Sequence, residues 1–290
     1  MMDDVMIRPM TSADAPTAWA MAHESLRVAG VDYGWHMPPF DAAIRERGRL
    51  RLEHSVRHDP DGSFVADRDG EIVGAGVATR RGPLWFLSLL TVAKDAQAQG
   101  VGRRLVDATL QTKAGMGAIC ASDDPKALRR YRMAGFDLIP CYEAEGTLDR
   151  SLLPAVSGVV SASYAENREF IDELAVAQRG APHGPDLDLW AASDRPVFVT
   201  DTAVGRGYVS CVDDGVGVLA ATTPAAAQAL LWTALAESTS ALEVGYLRRD
   251  QQWAIDVVLE ARLSLRPAGS LCTAGPIGPM SPYLPNGAFG

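Results

Sequence analysis

Residues 84–104, LWFLSLLTVAKDAQAQGVGRR, set a strand-forming apolar run against the start of a helical one, with two glycines at the junction. LSLLTV is apolar enough for a strand buried on both faces, and RRLVDATL reads as an amphipathic helix. Gly100 and Gly102 lie where that helix begins. A helix start leaves its first N–H groups without intrahelical acceptors, and the helix dipole adds partial positive charge there. Residues without side chains let an anion approach those groups. The stretch therefore demands a strand, a tight turn and a helix whose N-terminus can cradle phosphate.

The elements around it read as one plan. VMIRP (5–9) is a short strand, and Thr11 or Ser12 caps a helical segment, ADAPTAWAMAHESLR. Residues 28–39, VAGVDYGWHMPP, read as an aromatic loop before a second helix over about 40–58, which ends at DPDGS. Three strand-like runs follow, the first two joined at Asp69-Gly70 and the third entered through Arg81-Gly82-Pro83. In the helix after the glycines, Val101, Leu105, Ala108 and Leu110 fall near one face. GAICAS (117–122) is a buried strand. DPKALRRYRMAG is a helix with Pro125 at its first position, and FDLIP and CYEAEGTLD are two strands.

After a linker, SLLPAVSGVV (151–160), this order returns with a shortened start. A helix (ENREFIDELAVAQRG) precedes three strands, PVFVTD, GRGYVSCV and GVGVLAA, with a turn at Asp213-Asp214-Gly215. A helix capped by Thr223 with Pro224 next, a strand (ALEVGYL), a helix (DQQWAIDVVLEAR), and strands LSLRP and SLCTAG complete it, before a tail rich in Gly and Pro. The expectation is an α/β (α+β) fold with a mixed sheet, duplicated over residues 1–150 and 151–290.

Taken alone, the glycine pair has three readings. A dinucleotide turn needs a third glycine at 105, where Leu105 stands, and KDAQAQ separates the turn from its strand. A plain connecting loop and a site for the pyrophosphate of acetyl-CoA are the other two. Gln97-Ala98-Gln99-Gly100-Val101-Gly102 resembles the Q/R-x-x-G-x-G/A signature of the Gcn5-related N-acetyltransferase (GNAT) superfamily. DPKALRRYRMAGF resembles that family's second motif through Ala127, Tyr131, Gly135 and Phe136, with Asp124 in place of the usual Asn. The resemblance covers about residues 5–148. The second half departs from it, having ATTPAAAQALL at the corresponding turn, where Thr222, Thr223 and Pro224 would crowd a pyrophosphate. It reads as a degenerate acetyltransferase domain that shapes the substrate cleft or mediates dimerisation.

The resemblance implies two tandem acyl-CoA N-acyltransferase-like domains and acetyl transfer to an amine, with acetyl-CoA as cosubstrate and no metal. It implies that Leu90, Thr91 and Val92 pair with the pantetheine arm, and that the Val92 N–H polarises the acetyl carbonyl. The pyrophosphate falls to the segment Gln97, Ala98, Gln99, Gly100, Val101, Gly102, Arg103 and Arg104. Asp124 stands in the second motif, where its N-cap position also suits it to holding its own helix. Tyr131 becomes the acid that protonates the departing thiolate. The aromatic loop offers Tyr33, Trp35 and His36 to the acceptor.

No carboxylate stands in WFLSLLTV to serve as base, so Glu24, Asp32, His23, His36 and a carboxylate at Gly290 are the candidates. Arg179, His183 and Asp186 in RGAPHGPDLDLW have no metal-ligand spacing and read as a structural hydrogen-bond network. The alternative to an enzyme is a non-catalytic acyl-CoA-binding or regulatory protein.

Charge narrows the partners. A net charge of −9 argues against general affinity for nucleic acid or an anionic membrane. The four cysteines, Cys120, Cys141, Cys211 and Cys272, form no CxxC pair and read as free thiols. No signal peptide or membrane-length apolar run is present, so the expectation is a soluble cytoplasmic protein acting on a small-molecule amine, with a homodimer open.

Overall fold

The computed structural model describes residues 5–33, 37–213, 215–238 and 241–290. Two compact units emerge, Met1–Arg80 with Trp85–Gly117, and Arg81–Leu84 with Ala118–Gly290.

In the first unit, strands β1 (Met6–Pro9), β2 (Ser63–Arg68) and β3 (Glu71–Arg81) pair antiparallel in that order, and β4 (Leu84–Val92) lies beside β3. Asp69 and Gly70, with φ of 52° and 90°, make the expected tight turn. Asp14 fixes the chain's entry, accepting from the Thr11 N–H at 2.8 Å and pairing with Arg8, which also holds Asp67. Helices α1 (Ala15–Tyr33) and α2 (Ala42–His58) pack together, with Gly48 of α2 against the Trp19 ring of α1. The expected loop at 28–39 is shorter than the sequence suggested, because α1 runs on through Val28–Tyr33 with Gly30 buried inside it. Trp35 and His36 lie outside the described residues.

Helix α3 (Val101–Leu110) buries Val101, Gly102, Leu105, Val106 and Thr109, whereas Ala108 and Leu110 are only half-buried. The i, i+4 pairs 101/105 and 105/109 set that face, and Trp85 donates to the Thr109 carbonyl at 3.0 Å. Strand β5 (Met116–Ala121) is divided between the units.

The second unit opens with helix α4 (Pro125–Met133) and strand β6 (Asp137–Gly146). The sequence suggested two strands at 136–149 and two at 263–275. Each pair is one strand, β6 and β12 (Ser264–Ala274), paired antiparallel along their lengths. A register shift between Pro267 and Ser270 absorbs the proline that would otherwise break the ladder. Strands β7 (Val159–Ala162), β8 (Val197–Thr202), β9 (Gly205–Val212), β10 (Gly215–Ala221) and β11 (Leu242–Leu247) complete the order β12-β6-β11-β10-β9-β8-β7, with β13 (Tyr283–Leu284) on β10. Strand β6, encoded before residue 150, thus lies between two strands encoded after it. Contacts and element order divide the chain differently for this reason.

Helices α5 (Arg168–Arg179), α6 (Asp186–Ala192), α7 (Pro224–Glu237) and α8 (Gln252–Glu260) belong to this unit. Around α7 and α8 gathers a core of Leu230, Leu231, Leu235, Val257, Val258, Leu219 and Leu247. Helix α6 is absent from the sequence reading, since its seven residues follow Pro185 and span barely two turns. It stands where α2 stands in the first half, so the repeated plan is complete.

Within the expected network of Arg179, His183 and Asp186, the Asp186 N–H meets the His183 carbonyl at 3.3 Å, while the side chains reach partners beyond the trio. Asp186 pairs with Arg81 at 2.5 Å, Arg179 donates to main-chain carbonyls, and His183 bonds to the Tyr208 hydroxyl at 2.6 Å. Burial first, then the charges of Arg179 and Arg81, push His183 well below its ordinary 6.5.

Adding a methyl group at Gly48 would place it 2.0 Å from the Trp19 ring. Gly48→Ala is expected to lower stability by about 2 kcal/mol, overpacking outweighing the gain in helix propensity; urea denaturation followed by circular dichroism checks this. His183 stays neutral in the fold but takes a proton when unfolded, so its contribution is full above pH 6.5 and fades as pH falls from there. Melting temperature should drop with acidity from that point, and His183→Gln should flatten that part of the profile.

Candidate functional site

After β4 the chain makes a short 3₁₀ turn at Lys94–Ala96 and then a loop in which Ala98 (φ 63°) and Gly100 (φ 81°) take left-handed backbone conformations. Two glutamines staple this loop. The Gln97 amide donates to the Val92 carbonyl at 3.1 Å, and the Gln99 amide to the Asp95 carbonyl at 3.0 Å. Asp95 is itself held by Arg68 at 2.8 Å, which keeps its carboxyl below the usual range. These signature glutamines therefore shape the turn, and the donors left for a ligand are main-chain.

Gly100 is the N-cap of α3 and has no side chain to cap it. The first bond from Gly100 into the helix runs from the Arg104 N–H to its carbonyl at 3.1 Å, leaving the N–H groups of Val101, Gly102 and Arg103 as the helix's orphan donors. A Cβ built on Gly100 meets nothing within 4 Å, so the cradle is open and its floor is backbone. An anion with several oxygens, such as a pyrophosphate, fits this donor set. The Arg104 guanidinium is turned to the Val5 carbonyl at 2.6 Å, while Arg103 is exposed beside Asp107. Leu90 and Val92 are half-buried at the end of β4, and Thr91 is buried.

The second motif builds α4. Asp124 caps it by accepting from the Lys126 N–H at 2.8 Å, and Pro125 starts it. Gly135, at φ 89°, ends it, and the Phe136 N–H returns to the Tyr131 carbonyl at 3.1 Å. Tyr131 is 6% exposed, and burial pushes its phenol well above the ordinary 10. The phenol thus remains a protonated donor through the neutral range.

The second repeat shows the same two places altered. Thr223 caps α7, accepting from the Ala226 N–H at 3.2 Å, and Pro224 removes one donor outright. At the end of α8 the Leu263 N–H bonds the Val258 carbonyl at 2.9 Å, the counterpart of the Phe136–Tyr131 bond, and Arg262 takes the left-handed φ of 58° that Gly135 takes in α4. Val258 therefore stands where Tyr131 stands. The open glycine-lined helix start and the phenol are both missing from this repeat, and the shared helix-ending bond is what aligns Val258 with Tyr131.

On the acceptor side, Tyr33 ends α1 and is half-buried. Glu24 is exposed and held by Arg27 at 2.7 Å, and Asp32 is exposed. His23 is buried beside Trp19 and Phe40, its ring nitrogen donating to the Pro38 carbonyl at 2.9 Å, so it anchors the chain entering α2. The Gly290 main-chain oxygen is buried and accepts from Arg179 and Tyr283. Among the described residues no group of three or more His, Cys, Asp or Glu is placed to hold a metal ion, and no helix is long and apolar enough to cross a membrane.

Residues 27–136, which contain both motifs, match the model of the acetyltransferase (GNAT) family. No curated protein matches. A Pyrococcus horikoshii structure assigned to the acetyltransferases superposes with a TM-score of 0.80 at 17% identity, covering 100% of this chain and 97% of that one. A tandem GNAT protein from the clavulanic acid biosynthesis pathway gives 0.58 at 16% identity, covering 94% and 99%. A GCN5-related N-acetyltransferase from Sphaerobacter thermophilus gives 0.57 at 14% identity, covering 93% and 95%. At these identities the likeness speaks to the fold. The segment 27–136 is thus similar to the acetyltransferase (GNAT) family, and the fold of the chain as a whole is that of tandem GNAT proteins.

Proposed function

We propose that the protein is an acetyl-CoA-dependent N-acetyltransferase whose first repeat, residues 1–150, binds the cosubstrate and whose second, residues 151–290, does not. The observation that carries this is the contrast between two helix starts. The α3 start is uncapped, glycine-lined and open, whereas the α7 start is sealed by Thr223 and Pro224.

The amine's lone pair attacks the thioester carbon, the new C–N bond forms, the C–S bond breaks, and the amine loses a proton to solvent or a base. Main-chain groups of Leu90, Thr91 and Val92 line the pantetheine arm, and the Val92 N–H stabilises the developing oxyanion. The α3 amides hold the pyrophosphate. Tyr131 gives its proton to the leaving thiolate. The α3 turn and Tyr131 belong to different compact units, and their joint role rests on the family resemblance. A small-molecule amine, a cytoplasmic setting and a homodimer complete the reading. Tyr33, Trp35 and His36 are assigned to the acceptor.

Gly100→Glu has room to fold, at a strain of about 1–2 kcal/mol for a left-handed non-glycine residue, and sets a negative charge in the cradle. Calorimetric titration should show acetyl-CoA binding weakened by about 100-fold, the loss of roughly two charge-assisted hydrogen bonds. Undiminished binding would move the cofactor elsewhere.

Tyr131→Phe should lower kcat by about 10²–10⁴ with little change in the KM for acetyl-CoA. Because burial raises the phenol, the wild-type rate should show no alkaline fall from this group up to pH 10. A variant of full activity removes Tyr131 from the chemistry. Tight acetyl-CoA binding without turnover of any amine in a broad panel would favour the acyl-CoA-binding alternative.

A further inference from the structure

We propose that residues 275–290 are a peptide ligand held in cis by a strand-accepting cleft of the second repeat, between β10 and β11. This rests on geometry within the second unit and is independent of the acetyl-CoA reading.

The cleft opens because β10 and β11 are parallel neighbours in register only at Gly215↔Glu243. Beyond that point β11 has an irregularity between Val244 and Leu247, where Tyr246 takes a φ of 56°. One edge of β10 is filled by β9, through Leu219↔Val209 and Ala220↔Tyr208. Its other edge, toward β11, receives the tail through Leu219↔Leu284, Ala220↔Tyr283 and the Ala221 N–H to the Pro282 carbonyl at 3.1 Å.

The tail is held less by a ladder than by side chains. Its own ladder is two residues long. Pro276, Pro279, Pro282 and Pro285 lack N–H groups, so its backbone acts mainly through carbonyls. Those carbonyls meet donors built into the cleft. Arg248 donates to Met280 at 2.5 Å, Gln251 to Met280 and Tyr283, and Arg179 to Phe289 at 2.7 Å and Gly290 at 3.0 Å. In return the Met280 N–H reaches the Gln178 carbonyl at 2.8 Å.

All three of these donor side chains are more than nine-tenths buried, and Tyr283, Leu284 and Phe289 are the apolar anchors. A strand added to a sheet edge, side-chain pockets and donors aimed at the carbonyls of a proline-rich segment are the means by which proteins recognise extended peptides. Where the segment sets out, Ile277–Met280 also border an open pocket of about 430 Å³ with Ile139, Leu271 and Thr273.

The test keeps the full chain. A protease recognition sequence is inserted between the exposed Gly275 and Pro276, the chain is cut, and a fluorescein-labelled peptide of residues 276–290 is added in excess. The expected result is that the cut segment stays bound, the labelled peptide replaces it saturably, and far-UV circular dichroism is unchanged. A scrambled peptide, or one carrying Leu284→Asp, should exchange at least tenfold less. Absence of exchange, exchange only with unfolding, or equal uptake of the scrambled peptide would each overturn the proposal and make the segment ordinary core.

Discussion

The N–H groups at a helix start must find acceptors, and this chain answers that requirement in opposite ways at its two equivalent helices. At α7 the chain supplies the acceptor itself. The Thr223 hydroxyl accepts from Ala226 and donates to the Val204 carbonyl at 2.8 Å, and a Cβ on Gly205 would lie 2.5 Å from that same oxygen. At α3 nothing is supplied, and the loop before it is stapled through Gln97 and Gln99 so that it stays open. A glycine N-cap gives up only a few tenths of a kcal/mol relative to a hydroxyl cap, so the open start of α3 is a cheap alternative to the sealed start of α7. The difference between the two helix starts therefore lies in access: the main-chain donors of α3 are open, and those of α7 are covered.

Duplication sets the terms for the rest. Strands β6 and β12, the last of each repeat, pair with each other along their lengths, so the second compact unit contains the end of the first repeat. Neither repeat can be cut out at residue 150 without leaving a long sheet edge bare, and an unpaired edge of that kind invites aggregation. The same pairing explains why Pro140 and Pro267 do not break their strands. The irregularity at Pro267–Ser270 gives the ladder a place to lose a donor.

Local chemistry was legible wherever one residue dictates one backbone state. Asp69-Gly70, the Thr223-Pro224 cap and the glycines of the α3 turn are such places, and the elements there lie where the sequence put them. Periodicity served less well where tertiary packing chose between neighbouring faces. In α3, Val106 and Thr109 are buried in preference to Ala108 and Leu110 because Trp85 approaches from that side. Residues 28–39 were read as one loop, yet 28–33 are the last turns of α1, with Gly30 buried among them. The compact trio Arg179, His183 and Asp186 shows the limit of proximity in sequence. Helix geometry and burial send the three to separate partners, one of them, Arg81, 105 residues away.

The tail was the least legible part, because nothing in a Gly- and Pro-rich stretch says what it lies against. Its partners are buried polar side chains scattered over α5 and the segment after β11, and each of them looks costly until its acceptor is known. Arg179 is 1% exposed, and four main-chain carbonyls satisfy it, two of them from the tail. Burying a guanidinium this deeply is tolerable only with such acceptors in place. The cleft and the segment in it are therefore interdependent.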